Sequence, residues 1–296
     1  MTDTPARQLL PRLAVLGTGV MGETVLTAAL GAGWAPDDVV ATVRRPERGR
    51  ELAERHGVDV SQDNVAAVTG AGVVVVAVKP KDVGALLDEI HDALAAGTVV
   101  VSVVVGLATT FFERRLPAGS SVVRVMPNTP SVVGAGVSAV SGGSGTHERD
   151  LALVEAMLAP AGLVVRVAEK DQDAVAALSG SGPAYTFYVI DALAEAGVLL
   201  GLTRATALEL ATATVQGAAT MLRETGEHPA VLRERVSSPG GTTVAALRRL
   251  DAGGVRAAFL DALEAARDRS VELAATLDVP PGRAGSEGTG HEGTGR

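Results

Sequence analysis

The feature that most constrains this chain is a short apolar segment followed at once by a glycine-rich turn and a helical pattern. Leu13–Leu16 is wholly apolar, and the next six residues read Gly-Thr-Gly-Val-Met-Gly. In a strand–turn–helix unit, Gly17 would permit the tight turn, Gly19 would let a pyrophosphate approach the backbone, and Gly22 would let the helix pack close to the strand. The helix N-terminus favours phosphate charge. The segment predicts a dinucleotide site, and the alternative is a glycine-rich turn without a ligand.

The residues that follow the second predicted strand bear on which dinucleotide is bound. NAD sites place an acidic residue about 20 residues after the glycines, where it binds the ribose hydroxyls. Here Val39–Val43 is followed by Arg44 and Arg45. Two guanidinium groups suit a 2′-phosphate, so NADPH is the expected coenzyme, with NADH as a second possibility. Lys79, at the end of another strand, is expected over the same crevice. The alternative is that these cations are solvated surface residues.

The first half of the chain alternates β-rich runs with helical patterns. The runs are short, apolar and β-branched: Leu13–Leu16, Val39–Val43, Val73–Val78, Val99–Val103, Val122–Met126 and Leu163–Val167. Helix-period stretches lie between several of them: Glu23–Leu30, Pro46–His56 and Val83–Leu94. This alternation predicts an α/β fold with a Rossmann-type, doubly wound parallel sheet that is covered on both faces.

From Glu169 onward the strand patterns stop and alanine- and leucine-rich helical patterns take over. The predicted helices are Pro183–Leu200, Arg204–Arg223, Thr243–Leu250 and Val255–Leu277. We therefore expect a dinucleotide-binding domain over residues 1–168 and an all-α domain over 169–279. Residues 280–296 hold no apolar side chain larger than alanine, which predicts a disordered tail.

Composition excludes several classes of function. The net charge is -8 and aromatic residues make up 2%, so we expect no nucleic-acid partner. The chain has no cysteine, which excludes disulfides and thiol catalysis, and no metal site is predicted. The most apolar helix contains Asp191 and Glu195, which lipid would disfavour. It is better read as buried in a core or subunit interface than as a membrane span. Without a signal-peptide-like run near Met1, a cytoplasmic location is expected.

Three motifs in the rest of the chain are candidates for the second half of a site. Asn128 lies between two prolines, and its amide could meet the nicotinamide or its ribose; a structural turn is the alternative. The Ser-Gly-Ser-Gly-Pro-Ala-Tyr segment at 179–185 opens a helix, as a cap or as a ligand contact. The Ser-Ser-Pro-Gly-Gly-Thr-Thr segment at 237–243 predicts a nest of N–H groups for a carboxylate. Thr242 or Thr243 would either cap the next helix or face a ligand.

The absence of certain residue types limits the reactions that such a site could catalyse. The helical half has no lysine after Lys170, and the five histidines lie outside the motifs. Hydroxyacid dehydrogenases of two-domain type usually place a catalytic lysine in that half, so its absence counts against alcohol oxidation. Hydride transfer to an electrophilic, protonatable C=N bond fits a site with little acid–base machinery.

Taken in order, the motifs resemble the pyrroline-5-carboxylate reductase family. They are Gly-x-Gly-x-Met-Gly, Val-Lys-Pro, Arg-Val-Met-Pro-Asn-Thr-Pro, Ser-Gly-Ser-Gly-Pro-Ala-Tyr and Ser-Pro-Gly-Gly-Thr-Thr. The resemblance runs from about Arg12 to Leu277. It implies an NAD(P)H-binding Rossmann domain, a helical domain that forms an intertwined homodimer or larger homo-oligomer, and reduction of pyrroline-5-carboxylate to L-proline.

The resemblance also implies roles for individual residues. It assigns the pyrophosphate to the glycine motif, Gly17, Gly19, Val20, Met21 and Gly22. It assigns the rest of the coenzyme to Asn64, Val78, Lys79 and Pro80. It assigns the substrate to Ser238, Gly240, Gly241, Thr242 and Thr243, with the Thr243 hydroxyl at the ring nitrogen. Many members have alanine where this chain has Thr242, so the resemblance assigns no function to the Thr242 hydroxyl.

The sequence leaves two alternative functions open. One is an NADP-dependent reductase of similar architecture that acts on another imine or on an oxidised deazaflavin. The other is a protein that binds NADPH as a redox sensor and catalyses nothing.

Overall fold

The computed structural model describes residues 10–277, so the predicted tail at 280–296 lies outside the described residues. The first half contains one eight-stranded sheet in the order β3-β2-β1-β4-β5-β6-β7-β8. The strands are β1 Leu13–Leu16, β2 Val39–Thr42, β3 Asp59–Ser61, β4 Val73–Val76, β5 Val99–Ser102, β6 Ser121–Met126, β7 Gly136–Gly142 and β8 Gly162–Arg166. The order reverses between β1 and β4, and a crevice at such a switch point is where dinucleotides bind in doubly wound folds.

The expected Rossmann-type sheet is confirmed, but the sheet is not wholly parallel. β7 runs antiparallel to β6, and β8 is parallel to β7. The sequence interpretation missed β7 because its residues, Gly-Val-Ser-Ala-Val-Ser-Gly, are mostly small and give no continuous apolar run. It missed β3 because that strand has only three residues and begins with Asp59.

Helices cover both faces of the sheet. They are α1 Val20–Gly31, α2 Pro46–His56, α3 Asn64–Val68, α4 Val83–Ile90, α5 Thr109–Glu113 and α6 Glu148–Leu158. Alternate side chains of a strand point to opposite faces. Accordingly, Val73 and Val75 pack into the core cluster that includes α1 and α6 residues. Val74 and Val76 pack into the cluster that includes α3, α4 and α5 residues. Burial on both faces explains why β4 reads as four successive valines.

The second half is helical, as predicted. A short helix, α7 Gln172–Val175, runs into a π-helical segment, Ala176–Gly180, and five helices follow. They are α8 Gly182–Leu199, α9 Arg204–Thr225, α10 Pro229–Arg235, α11 Thr242–Ala252 and α12 Val255–Leu277. The prediction missed α10, whose sequence contains four charged or proline residues among seven. The domain boundary after residue 168 stays a prediction.

Helices α8 and α9 form a hairpin held by small residues. Ala194, Ala207 and Ala211 are buried between them. The helices approach so closely that a Cβ added at Gly197 would lie 2.9 Å from the Cβ of Ala207. The outer side of α8 is apolar and exposed, with Tyr188 77% and Leu199 87% accessible. Exposed apolar area of this extent is typical of a subunit interface, as the apolar sequence of this helix predicted.

A partly buried ion pair joins the helical half to the sheet. Arg124 of β6 is 5% exposed, and its Nη1 lies 3.0 Å from the Oε1 of Glu169. The same carboxylate oxygen accepts a hydrogen bond from the backbone N–H of Thr109 at 3.1 Å. Nearby, the Ser270 hydroxyl of α12 donates to Asp173 at 2.9 Å. The bonds of Glu169 fix the start of the helical half against the sheet domain, and the Ser270 bond joins α12 to α7.

Within residues 10–277, none of the helices combines the length and apolarity that a membrane span requires. The cytoplasmic location stays a prediction.

Candidate functional site

Each glycine of the turn between β1 and α1 has a different geometric reason to be there. Gly17 has φ +79°, and a Cβ at this position would lie 2.5 Å from the Cγ1 of Val78. A Cβ at Gly22 would lie 3.3 Å from the Cβ of Ala77, so Gly22 allows α1 to pack against the segment after β4. At Gly19 an added Cβ would meet no atom within 4 Å. The space beside Gly19 is therefore open, as close approach of a ligand to the backbone requires.

The start of α1, next to Gly19, leaves backbone donors without intrahelical acceptors. The first helical hydrogen bond runs from the Glu23 N–H to the Gly19 carbonyl at 2.9 Å. The N–H groups of Val20, Met21 and Gly22 precede that bond, and the first turn of a helix has no intrahelical acceptors for them. Together with the helix dipole, these donors suit a pyrophosphate.

A chain of hydrogen bonds fixes the turn to the neighbouring strand. The Gly17 N–H donates to the Thr42 hydroxyl at 3.2 Å. That hydroxyl donates to the Oδ1 of Asn64 at 2.8 Å, and the Asn64 amide nitrogen lies 3.2 Å from an oxygen of Glu89. The sequence interpretation included Asn64 but missed Thr42, although its position at the end of the second strand was a usable signal.

A cavity of about 720 Å³ opens over the glycine turn, and all its lining residues lie between Gly17 and Glu89. Seven residues predicted to bind the coenzyme line it: Gly17, Gly19, Arg44, Arg45, Asn64, Val78 and Lys79. The other predicted coenzyme residues, Val20, Met21, Gly22, Pro80 and Asn128, are not among its lining. The sequence interpretation missed ten lining residues, of which six are polar: Thr18, Thr42, Arg48, Gln62, Asp82 and Glu89. The open space at Gly19, a helix N-terminus and three nearby arginines fit a phosphorylated dinucleotide.

The arginines at this cavity are held in different ways. Arg44 is 79% exposed, and its Nη1 lies 3.4 Å from Asp82 Oδ2. Its backbone carbonyl accepts from Gln62 at 2.8 Å. Arg45 is the N-cap residue of α2. Arg48 is 19% exposed and pairs with Glu23 of α1, so it is the most rigidly held of the three.

Glu23 is the centre of a charged cluster that joins α1 to α2. Its carboxylate contacts Arg48 and Arg55, and the Nε2 of His56 lies 2.9 Å from it. Burial alone would raise the pKa of Glu23, but the hydrogen bonds from His56, Arg48 and Arg55 outweigh it and lower the pKa to about 2. The cluster thereby holds α2, and with it the arginines at its N-terminus, against the helix that starts at the glycine turn.

Asn128 is held within the protein. Its side-chain oxygen accepts from the Val137 N–H at 2.8 Å, and its amide nitrogen donates to the Ser179 carbonyl at 3.0 Å. It is buried and borders a second, largely apolar cavity of about 640 Å³, with residues of α8, α9 and α12. These bonds favour the structural reading of Asn128, and its contact with the coenzyme stays a prediction.

The predicted substrate loop, residues 237–243 and called the substrate loop below, lies outside the lining of both cavities. Gly240 has φ +71°, and the Gly241 N–H donates to the Ser238 carbonyl at 2.9 Å, which closes a tight turn. Helix α11 begins at Thr242 with Gly241 as its N-cap and no side-chain capping bond. The suggestion that Thr242 or Thr243 caps the helix is therefore wrong. Ser238 and Thr242 are exposed and Thr243 is half-buried.

Comparison with known proteins covers both halves of the chain. Residues 169–273 match the family model described as pyrroline-5-carboxylate reductase dimerisation. Residues 12–106 match the model described as NADP oxidoreductase, coenzyme F420-dependent. A homo-oligomer-forming domain and an NAD(P)-binding oxidoreductase domain are thus identified by separate matches.

Similar proteins match over almost their whole length. Pyrroline-5-carboxylate reductase from Corynebacterium melassecola is 48% identical over 264 residues, covering 88% of this chain and 98% of the relative. The enzyme of that name from Arabidopsis thaliana is 39% identical, covering 88% and 95%.

Solved structures agree with the sequence relatives. A pyrroline-5-carboxylate reductase from Coxiella burnetii superposes with a TM-score of 0.85 at 38% identity, covering 89% of this chain and 98% of that one. The Plasmodium falciparum pyrroline carboxylate reductase, solved with NADP bound, gives 0.80 at 26% identity and the same coverage. The resemblance inferred from the motifs is confirmed, and this chain belongs to the pyrroline-5-carboxylate reductase family.

Proposed function

We propose that this chain reduces 1-pyrroline-5-carboxylate to L-proline, the final step of proline biosynthesis, with NADPH as the preferred hydride donor. The observation that carries the proposal is the match to pyrroline-5-carboxylate reductases over 98% of a relative's length. That match spans both the coenzyme cavity and the helical half. The bound coenzyme supplies a hydride, and this chain's residues bind, orient and shield the reactants.

The preference for NADPH is supported by the charge around one end of the cavity. The position where an NAD site carries an acidic side chain is occupied by the sequence Val43-Arg44-Arg45 after β2. Arg48 adds a third guanidinium to the same lining. A 2′-phosphate can accept several charge-assisted hydrogen bonds from such groups, whereas a ribose hydroxyl gains much less from them.

The substrate loop suits a small ring that bears a carboxylate. The Gly241 N–H is used in the turn, so the donors for a carboxylate are the N–H groups of Thr242 and Thr243 in the first turn of α11, assisted by the dipole of that helix. The Ser238 hydroxyl would assist in binding the carboxylate. The Thr243 Oγ1 would hydrogen-bond the ring nitrogen and orient the imine carbon toward the hydride.

The site requires a second copy of the chain. All lining residues of the coenzyme cavity lie within residues 17–89, whereas the substrate loop belongs to the helical half, where α11 packs on α12. Hydrogen bonds of residues 237–243 run within the loop and to neighbouring helical residues. The exposed apolar side of α8 provides the interface that would bring the loop of one subunit over the cavity of its partner.

The test is NADPH oxidation, followed by nicotinamide absorbance after addition of pyrroline-5-carboxylate, with NADH in parallel and proline measured as product. Arg44→Ala should lower kcat/KM for NADPH about tenfold and leave that for NADH nearly unchanged. Arg50→Ala is the matched control, because Arg50 lies on α2, is 72% exposed and is outside the cavity lining.

The match of residues 12–106 to an F420-dependent model makes a deazaflavin reductase the second candidate. The same assay separates the candidates, because a deazaflavin reductase would oxidise NADPH with that acceptor and not with the imine. NADPH binding with no turnover on either acceptor would favour the sensor interpretation.

A further inference from the structure

Arg44 and Asp82 meet across the coenzyme crevice. Arg44 follows β2, and Asp82 lies between β4 and α4. In the sheet, β1 lies between β2 and β4, so the two residues approach from opposite sides of the strand that leads into the glycine turn. Adjacent strands are about 4.8 Å apart, so β2 and β4 are separated by about 10 Å. The Arg44 side chain spans this gap, and its Nη1 lies 3.4 Å from Asp82 Oδ2.

The Asp82 side chain makes no local hydrogen bond. Asp82 ends a short 3₁₀ turn, Pro80–Asp82, that runs directly into α4, and its carboxylate caps no backbone N–H of that helix. Its Oδ2 is buried and lacks a hydrogen-bond partner among the described residues. The Arg44 guanidinium, 3.4 Å away, is the cation that pairs with this carboxylate.

Both residues line the cavity at the end where the arginines gather. In the ion pair, the Arg44 charge is partly neutralised, so a 2′-phosphate has to displace the carboxylate to gain the full interaction. The phosphate also meets the like charge of Asp82, which raises the free energy of the complex. NADH has no phosphate at this position, so its binding requires no displacement of the carboxylate and is not opposed by this repulsion.

We propose that Asp82 is a specificity-determining residue that competes with the 2′-phosphate of NADPH for Arg44 and so weakens NADPH relative to NADH. The inference rests on the proposed function, which assigns the 2′-phosphate to Arg44. Asp82 lies on the opposite wall of the crevice from the arginines, and there it reduces the preference of the chain for NADPH.

The test is Asp82→Asn, which keeps the shape of the side chain and removes its charge. Dissociation constants for NADPH and NADH are measured on the full chain by nicotinamide fluorescence. The Kd for NADPH should fall about twofold to fivefold, the range for loss of one exposed ion pair, while the Kd for NADH changes less than about 1.5-fold. Asp88→Asn is the control for net charge, because Asp88 is exposed on the same helix and outside the cavity lining.

The same substitution in an Arg44→Ala background tests the mechanism. With Arg44 absent, Asp82→Asn should shift the NADPH-to-NADH Kd ratio by less than half as much, since the competition needs the guanidinium. An undiminished shift would overturn the competition. If Asp82→Asn weakened the binding of NADPH and NADH equally, the competition would also be overturned. The ion pair would then be identified as a contact that holds either bound coenzyme in the crevice.

Failure of the inference is distinguishable from failure of the proposed function. Normal turnover of pyrroline-5-carboxylate with NADPH, combined with an unchanged Kd ratio in Asp82→Asn, would overturn the inference alone. An NADPH affinity that Arg44→Ala leaves unchanged would overturn both the inference and the assignment of the 2′-phosphate.

Discussion

Alanine substitutions at Gly17 and Gly19 should separate stability from coenzyme binding, although the two residues are neighbours in one turn. At Gly17, the positive φ costs an L-residue about 1–2 kcal/mol. The Cβ would also lie 2.5 Å from Val78 Cγ1 and 3.0 Å from Val78 backbone atoms, an overpacking that costs about 1–3 kcal/mol. The sum, about 2–5 kcal/mol, corresponds to a fall in Tm of about 4–20 °C for a domain of this size.

At Gly19 the same substitution should leave the fold intact. The backbone there has φ -80°, and an added Cβ meets no protein atom within 4 Å, so the free energy of unfolding should change by less than about 1 kcal/mol. The methyl group would occupy the space expected for the pyrophosphate. We expect the Kd for NADPH to rise at least about tenfold, equivalent to about 1.4 kcal/mol.

The assay is thermal unfolding of both variants at one protein concentration, since the melting of an oligomer depends on concentration, together with NADPH titration. A Gly19→Ala protein with a Tm as low as that of Gly17→Ala would refute the conclusion that the space beside Gly19 is open. So would one that binds NADPH as tightly as the unmodified chain.

Three further predictions follow from the site, the charged cluster and the exposed helix. Thr243→Val should lower kcat/KM for pyrroline-5-carboxylate about tenfold to a hundredfold, because it removes the hydroxyl proposed to bond the ring nitrogen, and an unchanged NADPH Kd is the internal control. Glu23 has a carboxyl pKa lowered from 4.5 to about 2, so its stabilisation should be full above pH 4.5 and be lost as the pH falls toward 2. In urea unfolding at pH 7, the free energy of unfolding of the unmodified chain should therefore be about 2–3 kcal/mol higher than that of Glu23→Gln. A difference in the free energy of unfolding that persists at pH 2 would contradict this. Tyr188→Asp, on the exposed side of α8, should shift gel filtration toward monomer, and an unchanged elution volume would remove that face from the interface.

The sequence was most informative where local chemistry determines the structure. The glycine turn has one workable geometry, and buried parallel strands such as β4 require unbroken apolar runs, so both could be predicted. The strand β7 could not, because its small residues pair with β6 for reasons that depend on the sheet already formed.

Long-range contacts within the site were out of reach of the sequence. Arg48, Asp82 and Glu89 line the cavity because the order of strands brings separate segments to one edge, and no local pattern marks them. Asn128 was interpreted from its two flanking prolines alone. Its bonds to Val137 and Ser179, which favour a structural role, join residues 9 and 51 positions away.

The central claim is that one subunit supplies the coenzyme cavity and its partner supplies the substrate loop. The most direct measurement mixes two impaired variants, Gly19→Ala and Thr243→Val, after dissociation and reassembly, and follows NADPH oxidation at subsaturating NADPH and pyrroline-5-carboxylate. In a random mixture of dimers, half are mixed and each mixed dimer holds one intact shared site, so activity should return to about a quarter of the unmodified level. If each subunit used its own loop, every site in the mixed dimers would carry a defect. Activity that stays at the level of the separate variants would contradict the account.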